Sequence, residues 1–213
     1  VQQPHVQPAA MAADFGMLDA RVLAARFRVD QLAESIVEAA FLVLDAGRHE
    51  VFVSDDLVHW ERKARVFEDP RGGDWAPEVL HNRRGDGKFY LYYTDSMTKA
   101  QRGPLEKQIG VAVADSPLGP FTDKGPLASH SIDAHPFQDD DGSLYLYYVE
   151  LAGGFKILVQ PMADPLTKQG DPTVLIRPTE EWEKLSGEVT EGPFILKRQG
   201  TYYLTYSGTG ADS

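Results

Sequence analysis

Cysteine is missing from this chain altogether, which excludes a disulfide framework, a thiolate nucleophile and any thiolate-ligated metal. Long apolar runs are missing too: the longest, around residues 39–44, falls far short of the roughly 20 residues that cross a bilayer as a helix. Basic residues are scarce, 21 Lys and Arg against 32 Asp and Glu, and the net charge is −11. Nucleic acid and anionic membrane both need a basic surface, so neither is expected as a partner. A neutral ligand fits this charge better than a polyanion. No phosphate-cradling Gly loop and no Ser-His-Asp set is present to support phosphoryl or acyl transfer. No signal-peptide pattern opens the chain, which starts at Val1, and no feature fixes a compartment.

What the chain does have is a repeat. Gly87-Lys88-Phe89-Tyr90-Leu91-Tyr92-Tyr93, Gly142-Ser143-Leu144-Tyr145-Leu146-Tyr147-Tyr148 and Gly200-Thr201-Tyr202-Tyr203-Leu204-Thr205-Tyr206 share one pattern, an aromatic strand after a glycine turn. A second feature pairs Val51-Phe52-Val53-Ser54-Asp55-Asp56-Leu57 with Val111-Ala112-Val113-Ala114-Asp115-Ser116-Pro117, alternating strands that end in an Asp-led turn. Both recur at about 55 to 60 residues, longer than the roughly 40 to 45 of a WD40 repeat and suited to a four-stranded blade with longer loops. The expected fold is all-β, a β-propeller with about four blades present. Residues 1–12, rich in Gln, Pro and Ala, are expected to be a disordered tail, with the propeller over 13–213. Residues 12–44 break the pattern. Leu18, Val22, Leu23, Arg26, Leu32, Ile36 and Ala40 stand three and four apart, which predicts an amphipathic helix on an irregular first blade. The last blade ends soon after its hairpin. An open ring leaves an unpaired sheet edge, so the sequence reads as part of a longer protein.

A few residues before each aromatic strand stands an acid: Glu78, Asp133 and Glu191. Glu191 precedes Gly192-Pro193, backbone with little freedom. Asp133, between Ile132 and Ala134, is either a turn cap or an inward-facing acid. Glu78 reads as a pocket residue. His135 has no partner at metal-ligand spacing, which leaves a sugar-hydroxyl donor or plain packing. Trp75 is either core or a stacking surface for a sugar ring. The run Asp139-Asp140-Asp141-Gly142 lacks the ligand positions of an EF-hand and reads as a hairpin turn. Trp182 sits in a polar stretch before the last hairpin. Two carboxylates facing one cavity, one protonated and one ionised, are the minimum apparatus for glycoside hydrolysis.

Trp75-Ala76-Pro77-Glu78, Ile132-Asp133 through Asp140-Asp141-Gly142, Glu191-Gly192-Pro193 and the turn Ser54-Asp55-Asp56-Leu57-Val58-His59-Trp60 together resemble glycoside hydrolase family 43. These are five-bladed β-propeller glycosidases acting on arabinose- and xylose-containing glycans. The resemblance implies inverting hydrolysis of α-L-arabinofuranosidic or β-D-xylosidic bonds in plant-type polysaccharides or oligosaccharides. It makes Glu191 the general acid and Asp133 the acid that raises and orients it. Trp75, Glu78 and His135 become substrate-binding residues. No cofactor is required, and a structural calcium ion is compatible with the family. The family's general base lies in an Asp-Pro motif on the first strand. Here Ala13-Asp14-Phe15-Gly16 stands close to that place, with Phe15 where the proline belongs, so Asp14 is the candidate base and Asp19 the reserve. The chain then reads as an incomplete catalytic domain, expected to be weakly active or inactive by itself. The alternative is a non-catalytic carbohydrate-binding propeller that has lost its base. A carboxylate across the pocket from Glu191 discriminates the two.

Overall fold

A computed structural model describes residues 25–28, 39–45, 48–56, 58–69, 71, 73–95 and 106–209. The chain runs up and down through successive antiparallel sheets. The first contains β1 (Ala25–Arg28), β2 (Ala39–Asp45), β3 (Arg48–Ser54) and β4 (Glu61–Glu68) in that order. The second contains β5 (Asp74–His81), β6 (Phe89–Asp95), β7 (Gln108–Ala114) and β8 (Thr122–Ser129). In the third, β9 (Ser131–Gln138), β10 (Leu144–Glu150) and β11 (Lys156–Asp164) are followed by β12 (Thr167–Lys168) and β13 (Thr173–Ile176), which both pair with β11. The hairpin β14 (Thr190–Arg198) and β15 (Thr201–Gly208) forms the fourth. A single 3-10 turn, Glu181–Lys184, precedes β14. The inner strands β1, β5, β9 and β14 contact one another in succession, which is the blade order of a propeller.

One expectation is corrected. Residues 25–28 and 39–45, inside the stretch with helical spacing, are strands, and β2 pairs with β3 from Ala39↔Ser54 to Asp45↔Arg48. A short apolar run such as Phe41-Leu42-Val43-Leu44 carries no period that separates strand from helix. Its hairpin partner decides. Asp14, Asp19 and the tail over 1–12 lie outside the described residues.

Alternation explains why β6 is buried along its whole length. Phe89, Leu91 and Tyr93 point to the first sheet and pack with Val51, Val66 and Phe67. Tyr90 and Tyr92 point the other way and pack with Leu146, Tyr148, Leu158 and Met162 of the third. A strand between two blades has no solvent face, so from Phe89 to Tyr93 both of its side-chain sets are aromatic or aliphatic. Tyr202 and Tyr203 in β15 are by contrast about half exposed: Tyr202 leans on Phe137 of the third blade, and no described sheet covers the opposite face, to which Tyr203 points.

Each of β5, β9 and β14 carries a bulge near its start. The ladders slip between Trp75 and Glu78, between Ile132 and His135, and between Glu191 and Phe194. The residue after the slip begins is left-handed each time: Ala76 at φ 45°, Asp133 at 55° and Gly192 at 59°. Opposite each bulge stands a repeat tyrosine, Tyr93, Tyr148 or Tyr206. The three acids therefore do not occupy one equivalent position, as their even spacing suggested. Glu191 matches Trp75 and Ile132, Asp133 matches Ala76 and Gly192, and Glu78 matches His135 and Phe194. The hairpin turns after these strands, 82–88, 139–143 and 199–200, shorten as the strand beyond the acid lengthens. The two changes cancel in the sequence.

Candidate active site

Asp133 sits at the bulge of β9 in a conformation that Asp tolerates better than most residues. Its N–H donates to Thr94 Oγ1 of β6 at 3.1 Å, and its Oδ2 accepts the N–H of Gly192, from the bulge of β14, at 3.0 Å. The bulges of the third and fourth blades are thus bonded directly, and Glu191 is the next residue along. Bulges redirect side chains at the ends of strands, and here they bring two acids from separate blades together.

Burial pushes the carboxyl of Glu191 above its ordinary range, the charge of Asp133 raises it further, and Lys107 pulls it back. Burial also raises Asp133, against the Gly192 N–H and Lys107. A half-buried carboxyl beside a second carboxyl keeps its proton toward neutral pH, as a general acid must.

A second belt runs parallel to the first across the same three blades. The N–H of Ile195 on β14 donates to His135 Nε2 at 3.1 Å, so the ring proton lies on Nδ1, 2.9 Å from Glu78 Oε1 on β5. His135 is buried, with Phe194 against its ring at a centroid distance of 4.5 Å. The structure therefore places Glu78 and His135 in a bridge between blades. Trp75 is half-buried, packed against Ile132, Val149, Leu151 and Ile157. Its indole N–H has no acceptor among the described residues, and Lys107 Nζ lies 4.6 Å from its ring centroid. Trp75, Asp133 and Glu191 thus share the influence of one cation. Asp14 falls outside the described residues.

Lys107 and Thr94 were missed by sequence reasoning. A lone Lys before an alternating strand, and a Thr at the end of an aromatic one, carry no pattern. Only the pairing of blades brings them to the acids. Among the described residues no three His, Asp or Glu side chains converge in a way that could hold a metal ion.

The model of the glycosyl hydrolases family 43 matches residues 37–213. The chain belongs to glycosyl hydrolases family 43. Among family relatives, it is 31% identical over 148 residues to an extracellular exo-α-(1→5)-L-arabinofuranosidase of Streptomyces avermitilis, covering 65% of this chain and 30% of that one. It is 46% identical over 82 residues to xylosidase/arabinosidase 43A of Humicola insolens, covering 38% of this chain and 23% of that one. Among solved structures it is similar to an endo-1,4-β-xylanase from Bacteroides thetaiotaomicron, with TM-score 0.72 and 32% identity, covering 90% of this chain and 66% of that one. The chain thus spans about a third or less of the length of these two curated relatives. In family-43 terms, Glu191 and Asp133 stand on the inner strands of adjacent blades.

Proposed function

We propose that this chain forms the acid side of an inverting glycosidase that cleaves α-L-arabinofuranosidic or β-D-xylosidic bonds in neutral plant-type glycans. The observation that carries the reading is the contact between bulges. Asp133, fixed by Thr94 and Gly192, stands beside a Glu191 whose carboxyl is pushed upward by burial and by the charge of Asp133. Arabinofuranosidase and xylosidase/arabinosidase relatives support the choice of sugars. In the proposed step, Asp14 takes a proton from water and the water oxygen bonds to the anomeric carbon. The glycosidic bond breaks toward its oxygen, which takes the proton of Glu191.

The test is leaving-group dependence in the full-length protein. Glu191→Gln is expected to lose about 10² to 10⁴ in kcat/KM on poor leaving groups, for which proton donation matters, and much less on aryl glycosides. NMR of the first-formed sugar is expected to show inverted configuration. Equal loss on both substrate types would remove Glu191 from the role of acid. Asp14→Asn behaving like the parent would assign the base elsewhere.

A further inference from the structure

The strand of Glu191, β14, pairs with β15 along one edge, and among the described residues no strand pairs with its other edge. Backbone N–H groups on that free edge still need acceptors where water is excluded. Two side chains of β9 supply them. Asp133 Oδ2 accepts the N–H of Gly192 at 3.0 Å, and His135 Nε2 accepts the N–H of Ile195 at 3.1 Å. Side chains two residues apart on the third blade thus stand in for a neighbouring strand, at points three residues apart on the fourth.

The two rungs are not equal. Gly192 is exposed, so water competes for its N–H. Ile195 and His135 are buried, and a hydrogen bond shielded from water is electrostatically stronger. The imidazole is itself held. Phe194 lies against it at a centroid distance of 4.5 Å, and Tyr147 of β10 stands 6.2 Å away. Glu78 Oε1 accepts the Nδ1–H at 2.9 Å, which leaves on Nε2 the lone pair that Ile195 needs.

A strand held at Gly192 alone can pivot there. A second hold three residues on, about 10 Å along an extended strand, fixes its direction and with it the aim of Glu191, the residue before Gly192. Both ring nitrogens are engaged with protein, so neither is left for a sugar hydroxyl. We infer that His135 is a positioning residue for the acid: its neutral ring, with the proton held on Nδ1 by Glu78, hangs the strand of Glu191 from the second and third blades without touching the substrate. The inference rests on Glu191 as the acid. It takes Glu78 and His135 out of substrate binding, the role that the family resemblance implied for them.

The experiment compares the full-length protein with His135→Phe, which keeps a ring but no acceptor, and with His135→Gln, whose amide oxygen can reach Ile195. His135→Phe is expected to lower kcat by about 10² with KM little changed, and His135→Gln to recover most of the loss. Asp133 and Lys107 are the charged groups that act on Glu191. A strand that drifts from Asp133 loses its upward push, so the alkaline limb of kcat/KM is expected to move to lower pH in His135→Phe and to return in His135→Gln. A raised KM with kcat and the limb unchanged overturns the inference and makes His135 a substrate ligand. Equal loss in the two variants overturns it as well. Amide exchange of Ile195, followed by NMR, needs no turnover: it is expected to be slow in the parent and in His135→Gln and fast in His135→Phe. Slow exchange in His135→Phe removes the hold on β14. If the parent hydrolyses no glycoside, the proposed activity fails and the exchange still decides the hold. If His135→Phe does not fold, His135→Gln and the imidazole ¹⁵N spectrum of the parent decide it, and a proton found on Nε2 contradicts the bond to Ile195.

Discussion

Lys107 is the cation that opposes protonation at both acids, lowering Glu191 and Asp133 alike. Burial is the largest influence on each carboxyl and acts in the other direction, so the net shift at both is upward. The sign of a Lys107 variant follows. Removing the positive charge in Lys107→Met lets Glu191 hold its proton to higher pH. The alkaline limb of kcat/KM, which reports the free enzyme's acid, is expected to move upward, while Lys107→Arg leaves it in place. Profiles of log kcat/KM against pH for the three proteins check this, and a downward shift in Lys107→Met contradicts the assigned balance. His135 shows the complementary residue-scale lesson. A histidine near two acids suggests sugar binding, yet both of its nitrogens already have protein partners.

At the scale of elements, the bulge is the recurring device. A left-handed residue at 76, 133 and 192 turns each inner strand at the same height. The sequence fills that position three ways, with Ala, Asp and Gly, so residue type alone conceals the equivalence. At the other end of the same strands, the turns of the third and fourth blades are clipped together. Lys197 of β14 bonds Asp139 and lies 2.8 Å from Asp140, and the hydroxyl of Tyr202 donates to Asp139. Lys197 and Tyr202 lower the carboxyl of Asp139 to about 2. A lowered carboxyl stabilises the fold above the ordinary aspartate range, and that contribution is lost as pH falls toward about 2. Asp139→Asn is expected to melt at a lower temperature than the parent at neutral pH, with the difference closing over that acid window. Thermal melts at a series of pH values check it. A difference that persists at the acid end assigns the effect to packing instead of charge.

For the whole molecule, net charge and blade order matter most. With 32 acidic against 21 basic residues, the surface repels polyanions at distances comparable to the Debye length. Neutral arabinan or xylan oligosaccharides are expected to react faster than uronic-acid-substituted ones at low ionic strength, with the gap narrowing as salt is added. Initial rates on matched substrates across a salt series measure this, and a gap independent of salt assigns the discrimination to the pocket. Much of the architecture was legible before any coordinates: the glycine-aromatic repeat, the blade-sized period and the acids before Gly-Pro and after Ile132 all lie in local patterning. Alternation with period two is a property of one strand, and the sequence by itself determined it. The helical spacing misled at residues 39–44 because Phe41 to Leu44 takes its conformation from β3, a partner that period cannot reveal. The meeting of Asp133 with Gly192, the bridge from Glu78 through His135 to Ile195 and the place of Lys107 were decided only by the tertiary structure. Each joins residues on different blades, and contacts of that kind depend on how sheets stack around an axis, which no spacing along one chain encodes.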